Sequence, residues 1–152
     1  MNDAGAAIDT LVERARTAAL NAHAPYSRFA VGAAVLLTDG SIVTGANVEN
    51  ASYGLSLCAE TVAIATLSAA GRIRDVAAIA VIGGAMDADG RPTGTSPVRP
   101  CGRCRQVLNE AAQMGARDFP VHCGAAQGGA VESYRVSTLL PDAFGPRDLG
   151  MG

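Results

Sequence analysis

Two short cysteine-bearing segments hold the residues best suited to chemistry: Cys58-Ala59-Glu60 and Pro100-Cys101-Gly102-Arg103-Cys104. Each opens a helix-like apolar run, Cys58 to Ala70 and Gly102 to Met114. A helix N-terminus carries unpaired N–H groups and the positive end of the macrodipole, so it favours anions and lowers thiol pKa. Cys101 and Cys104 are three apart and share one face of a first turn. Two such helices side by side bring three thiolates to one point, and three thiolates suit zinc. A structural zinc site closes with four protein ligands. A catalytic one keeps three and leaves a position for water, whose pKa the metal lowers toward neutrality. Glu60 lies two residues from Cys58, where a carboxylate can take a proton from that water and later return it.

Spacing alone leaves other readings open. Cys101-Gly102-Arg103-Cys104 is also the spacing of a thiol oxidoreductase. A non-catalytic zinc-stabilised module needs a fourth ligand, for which Cys123 and His122 are the candidates. Otherwise Cys123 reads as a small buried apolar residue, His122 as a strand histidine and His23 as a helix-end one. Glu60 by itself is equally a first-turn glutamate favoured by the dipole.

The elements that must position these groups follow from periodicity. Ile8, Leu11, Val12, Ala15, Ala19 and Ala22 recur at helical spacing, predicting an amphipathic helix over 6–22 that stops before Pro25. Phe29 to Leu37 and Ser41 to Thr44 are strand-like runs joined by Asp39-Gly40, which predicts a hairpin with a primed turn. Residues 46–57 read as an irregular polar loop. The run Cys58 to Ala70 is apolar on all sides and predicts a buried helix stopped by Gly71. Val76 to Ile82 reads as a central strand covered on both faces. Gly83 to Pro100 reads as a surface loop, and its Ala85–Arg99 stretch is long for a connection. The helix from Gly102 is closed by Gly115, and strands are expected over Phe119–Cys123 and Val131–Arg135. The order α-β-β-α-β-α-β-β implies an α/β layered fold, one domain over residues 1–152 with a sheet between helices.

Composition narrows the function classes. The chain has 152 residues, 49% hydrophobic and 17% charged, enough for a core without disulfide staples. All 12 basic residues are arginine, so Schiff-base, pyridoxal phosphate and Walker A lysine chemistry are excluded. Tryptophan is absent, the net charge is −2 and the arginines are scattered, which argues against a nucleic-acid or membrane surface. The first ten residues are acidic and lack an apolar core, so a cytoplasmic location with free cysteines is expected. The sequon Asn50-Ala51-Ser52 is then read as chance.

Cys-Ala-Glu, about forty residues, then Pro-Cys-x-x-Cys is also the arrangement of zinc nucleobase deaminases. With the segments APYSRFAVGAA, TGANVENASYGLSLCAE, PCGRCRQVL and LLPDAFG, the chain resembles the small homotetrameric cytidine deaminases over nearly its whole length. The resemblance implies a three-layer α-β-α sandwich with a mixed five-stranded sheet. It implies one Zn²⁺ per chain on Cys58, Cys101 and Cys104, with Glu60 as the proton shuttle. Asn47 and Glu49 would hold the ribose hydroxyls, and Phe29 would pack on the pyrimidine. Ala51 and Tyr53 match residues contributed across a subunit boundary, and Phe144 matches an aromatic that reaches a neighbour's site. The implied reaction is hydrolytic deamination of cytidine or deoxycytidine in pyrimidine salvage, with no nucleic acid or membrane partner. An asparagine and a carboxylate pair naturally with adjacent hydroxyls, and the carboxylate would repel a phosphate. A related deaminase acting on another cytosine compound, such as blasticidin S, is the alternative. One position departs from the family: many members place arginine directly after the glutamate, where its charge offsets the thiolates, and here that residue is Thr61. The two helix N-termini offset part of that charge, and Arg103 and Arg105 are further candidates.

Overall fold

The computed structural model describes residues 3–151. Helix α1 spans Asp3–Ala19, followed by strands β1 (Phe29–Leu37) and β2 (Ile42–Ala46). Helix α2 (Ala59–Ala69), strand β3 (Val76–Ala85) and helix α3 (Gly102–Met114) come next, then β4 (Pro120–Ala125), β5 (Val131–Arg135) and the short α4 (Val136–Leu139). The five strands form one sheet in the order β2-β1-β3-β4-β5. Only β3 and β4 run parallel, and the other pairs are antiparallel, so the sheet is mixed.

One core lies on the α1 face, where Leu11, Val12, Ala15 and Ala19 meet Ala34, Ala80 and Ile82. The larger core lies on the opposite face, where Ala63, Ile64 and Leu67 of α2 and Leu108 and Ala111 of α3 meet Val35, Ile79, Val81 and Phe119. This is the expected three-layer arrangement. Glycines set how closely the layers approach: a Cβ on Gly32 would fall 2.0 Å from the Ala15 carbonyl oxygen. Among the described residues, no helix is long and apolar enough to cross a membrane.

Several expectations need correction. The helix predicted over 6–22 begins at Asp3 and ends at Ala19, because the chain must turn for His23 to pair with Val48. The hairpin turn is not primed. Gly40 N–H donates to Leu37 O at 2.9 Å, and of Thr38, Asp39 and Gly40 only Gly40 has positive φ, at 87°. That is an ordinary turn followed by a left-handed glycine, the usual form of a three-residue hairpin loop. Residues 46–57 are not irregular throughout. Val48 bridges Leu57 through N–H···O bonds of 2.9 and 2.8 Å, and Glu49 N–H donates to His23 O at 2.7 Å. Helix α2 buries one face only, leaving Ala65 and Ala69 exposed. Gly71 does stop α2, with φ 73°, but α3 ends differently. Gly115 is the expected C-cap of α3 but keeps a right-handed conformation, and Ala116 takes the left-handed one; a Cβ on Gly115 would meet the Arg74 carbonyl oxygen at 2.7 Å. Strand β3 runs on through Gly83 and Gly84 to Ala85, and Thr93 N–H returns to Ala85 O at 2.9 Å, so the loop after it is folded back on the strand end.

Candidate active site

Topology brings the two cysteine segments together. β2 and β3 are both antiparallel to β1, and Ala46 and Ile82 face the same residue, Gly32. Their C-terminal ends therefore share one edge of the sheet, and the helices that follow them, α2 and α3, both begin there. Cys58 is the N-cap of α2 and Cys101 the N-cap of α3, each in extended conformation. Cys104 lies in the first turn of α3 and is fully buried.

The three sulfurs lie within 4.8 Å of one another. Cys58 Sγ and Cys101 Sγ are 3.8 Å apart. Two sulfurs at about 2.3 Å from a tetrahedral zinc sit about 3.8 Å apart, so the donor set fits that ion in number, softness and spacing. All four cysteines are free thiols, and the fourth, Cys123, is buried in β4 outside the cluster. His122 is also elsewhere, with Nδ1 2.7 Å from Ser133 Oγ. Neither supplies the fourth ligand that a closed structural site requires.

Electrostatics also calls for a cation. Burial pushes the Cys58 thiol up, and Cys101 and Glu60 add to this. Burial and the Glu60 charge push Cys104 up further. Burial would raise Cys101 too, but hydrogen bonds from the Cys104 backbone and from the Cys104 and Cys58 thiols bring it below its ordinary value. Glu60, 3% exposed, is itself raised by burial. Three acidic sulfurs and a carboxylate in one place repel when ionised, and a bound dication relieves that repulsion.

A cavity of about 230 Å³ opens beside the sulfurs, lined by Cys58, Glu60, Cys101, Asn47 and Glu49 together with Val31, Leu57, Val81 and Arg99. Asn47 and Glu49 are held in place from β1 and from the turn before it. Asn47 Oδ1 accepts Val31 N–H, and Asn47 Nδ2 donates to Phe29 O, both at 2.9 Å. Glu49 Oε1 accepts the N–H groups of Tyr26 at 2.9 Å and Ser27 at 3.1 Å. These bonds, the Ser27 side chain foremost, hold the Glu49 carboxyl below the usual carboxylate range. The turn that aims them passes through Arg28 in the left-handed region, φ 55°, which an arginine seldom adopts. Both side chains also line the cavity, where an amide can donate and a carboxylate accept.

Six of the ten sequence-derived residues thus converge: Cys58, Cys101, Cys104, Glu60, Asn47 and Glu49. Phe29 starts β1 at the edge of this group and is 38% exposed. Tyr53 stands outside the cavity, 72% exposed, and stacks edge-on against Tyr26 at 5.5 Å. Ala51 is exposed nearby. Phe144 is 63% exposed and lines no part of the cavity, while its carbonyl accepts Gln106 Nε2 at 2.9 Å. Sequence reasoning missed the backbone donors of Tyr26 and Ser27 and the place of Arg99 in the wall. Neither has a local signal, since both depend on chain segments meeting across the sheet edge. Arg99 itself is paired with Glu132 and the Tyr134 hydroxyl.

Comparison with known proteins agrees with this geometry. Residues 6–121 match the family described as the cytidine and deoxycytidylate deaminase zinc-binding region. A cytidine deaminase of Halalkalibacterium halodurans is 47% identical over 139 residues, covering 91% of this chain and 95% of that protein. One from Mycobacterium tuberculosis is 47% identical over 135 residues, covering 89% and 87%. The crystal structure of the cytidine deaminase from Burkholderia pseudomallei superposes with a TM-score of 0.76 at 41% identity, over 95% of this chain and 100% of that one.

Proposed function

The chain belongs to the cytidine and deoxycytidylate deaminase family, and on that premise we propose that it converts free cytidine, and deoxycytidine, to the uridine counterpart with release of ammonia. The observation that carries this reading is the cluster of three sulfurs beside a buried glutamate at the mouth of a nucleoside-sized cavity. The cofactor is zinc, and Cys58, Cys101 and Cys104 are the residues we assign to it. Bound there, zinc supplies the Lewis acidity that makes water a nucleophile at neutral pH.

The chain's own residues do the rest. Glu60 takes one proton from the water that attacks C4 of the pyrimidine and delivers it to the ring nitrogen N3. It then takes the second proton from the new C4 hydroxyl and passes it to the amine as the C4–N bond breaks and the carbonyl forms. Burial raises the Glu60 pKa, which makes the carboxylate a stronger base toward these protons. Asn47 and Glu49 hold the ribose hydroxyls as donor and acceptor, and Phe29 packs on the base. The Glu49 charge disfavours a phosphate, which supports a free nucleoside over a nucleotide. A deaminase for another cytosine compound is not favoured, since the similar proteins carry the name cytidine deaminase.

We further read residues 1–152 as one domain of a cytoplasmic homotetramer serving pyrimidine salvage. Large apolar groups left exposed by the single chain support the oligomer. Tyr53, Leu55 and Leu57 lie on the segment flanking the cavity, α2 leaves its outer alanines uncovered, and the Phe144 ring is bare. In that assembly Ala51, Tyr53 and Phe144 complete a neighbour's site.

The test is ultraviolet monitoring of zinc-replete protein with cytidine beside a Glu60→Gln variant. Wild type is expected to consume the cytidine absorbance, and Glu60→Gln to retain zinc without turnover. Near-normal turnover by Glu60→Gln would remove Glu60 from its role, and inert wild type with zinc bound would reject the substrate.

A further inference from the structure

The three sulfurs differ in their surroundings. Cys101 is exposed and receives a hydrogen bond from the Cys104 backbone. Cys104 is fully buried, and around its sulfur stand Glu60, Cys58, Cys101 and the hydroxyl of Thr61, whose Oγ1 lies 3.5 Å away. Of these four groups, three are acidic and only the hydroxyl is a neutral donor. The other threonines of α1 and α2 spend their hydroxyls on the helix: Thr10, Thr17 and Thr66 donate to the carbonyl four residues back, at 3.0, 3.1 and 2.8 Å. For Thr61 that carbonyl belongs to Leu57, which already accepts Val48 N–H at 2.9 Å. Thr61 is directed at the sulfur instead.

We propose that Thr61 is a positioning residue of the metal centre, its hydroxyl donating to the Cys104 thiolate so as to draw charge from the one sulfur that solvent cannot reach. The proposal rests on the zinc deaminase reading. A thiolate has no proton to give, so once Cys104 is ionised the threonine must be the donor. Three thiolates exceed the charge of one dication, and every hydrogen bond to a sulfur lowers its electron donation and leaves the metal a stronger Lewis acid. Arg105, next to Cys104 in sequence, and Arg99, in the cavity wall, are engaged elsewhere. Arg105 Nε donates to Pro100 O at 2.9 Å and its Nη1 to Leu139 O at 3.0 Å, while Arg99 is held by Glu132 and Tyr134.

The test is cobalt substitution of wild type, Thr61→Ser, Thr61→Val and Thr61→Ala, with circular dichroism to check the fold. Wild type and Thr61→Ser are expected to share one sulfur-to-cobalt charge-transfer band. In Thr61→Val and Thr61→Ala the band moves to lower energy, and cobalt affinity measured against a chelator falls ~10-fold. In the zinc-loaded proteins, kcat falls while KM for cytidine stays, and serine keeps kcat at the wild-type level. Thr61→Ala gives the same reading if Thr61→Val does not fold. A valine or alanine band superimposed on wild type overturns the role of Thr61 while the zinc site stands. Failure of wild type to bind cobalt overturns the zinc reading and the proposal with it.

Discussion

The side-chain oxygen of Asn47 accepts the backbone N–H of Val31 at 2.9 Å, so a cavity residue is also a fastener of strand β1. Its amide nitrogen closes the same clamp on Phe29 O. Asn47→Ala is therefore expected to lose both binding and stability. The orphaned Val31 N–H costs about 1–2 kcal/mol, read as a lowered urea midpoint, and KM for cytidine rises in parallel. Asn47→Asp keeps the acceptor for Val31 but loses the donor to Phe29, and should fall between alanine and wild type in stability. An Asn47→Ala protein as stable as wild type would contradict the clamp.

Glu49 offers a cleaner separation. Its Oε1 serves Tyr26 and Ser27, and glutamine presents an oxygen at the same place. Glu49→Gln should keep the turn and lose only the charge offered to the ribose. A charge-assisted hydrogen bond is worth about 1.5–3 kcal/mol, so KM should rise ~10-fold or more with kcat within about threefold. Because the carboxyl is held below its usual range, wild-type KM should not climb on the acid side until below the ordinary glutamate pKa of 4.5. A large fall in kcat with KM unchanged would reassign Glu49 to the chemical step.

His122 supplies a pH-dependent term remote from the cavity. It is buried in β4 against Ser133, and burial, with Arg135 adding to it, lowers its pKa below 6.5. The unfolded chain then binds the proton more readily than the folded one. This contribution is fully present above pH 6.5 and is lost as pH falls through 6.5 toward the folded-state value. Urea midpoints should drop between pH 7.5 and 5.5 in wild type, and drop less in His122→Gln. Equal slopes for the two proteins would show that His122 protonates without cost.

How much of this was written locally varies with the range of the cause. The cysteine segments were legible because each sits at the start of a helix, and helix starts are marked by short-range composition. Gly71 was legible as a stop for the same reason. Gly115 was legible as the end of α3, whose C-cap it is, while its close approach to the Arg74 carbonyl is set across the fold, which no neighbour in sequence reports. The turn at Asp39-Gly40 looked primed because that dipeptide suits two turn types, and the register Leu36↔Ile42 selects the longer loop. Asn47 and Glu49 were found through a motif, but their grip on Val31, Tyr26 and Ser27 depends on β1 lying beside their loop. Thr61 stood out only as a departure from a pattern, and its partner lies 43 residues away.

The split origin of the three sulfurs has a consequence during synthesis. Cys58 belongs to the helix after β2, and Cys101 and Cys104 to the helix after β3. A nascent chain that ends anywhere before residue 101 holds at most one of the three sulfurs. The donor set is complete only once the chain has been made past β3 into α3 and α3 lies beside α2. A chain cut short anywhere before Cys104 lacks the full three-sulfur donor set.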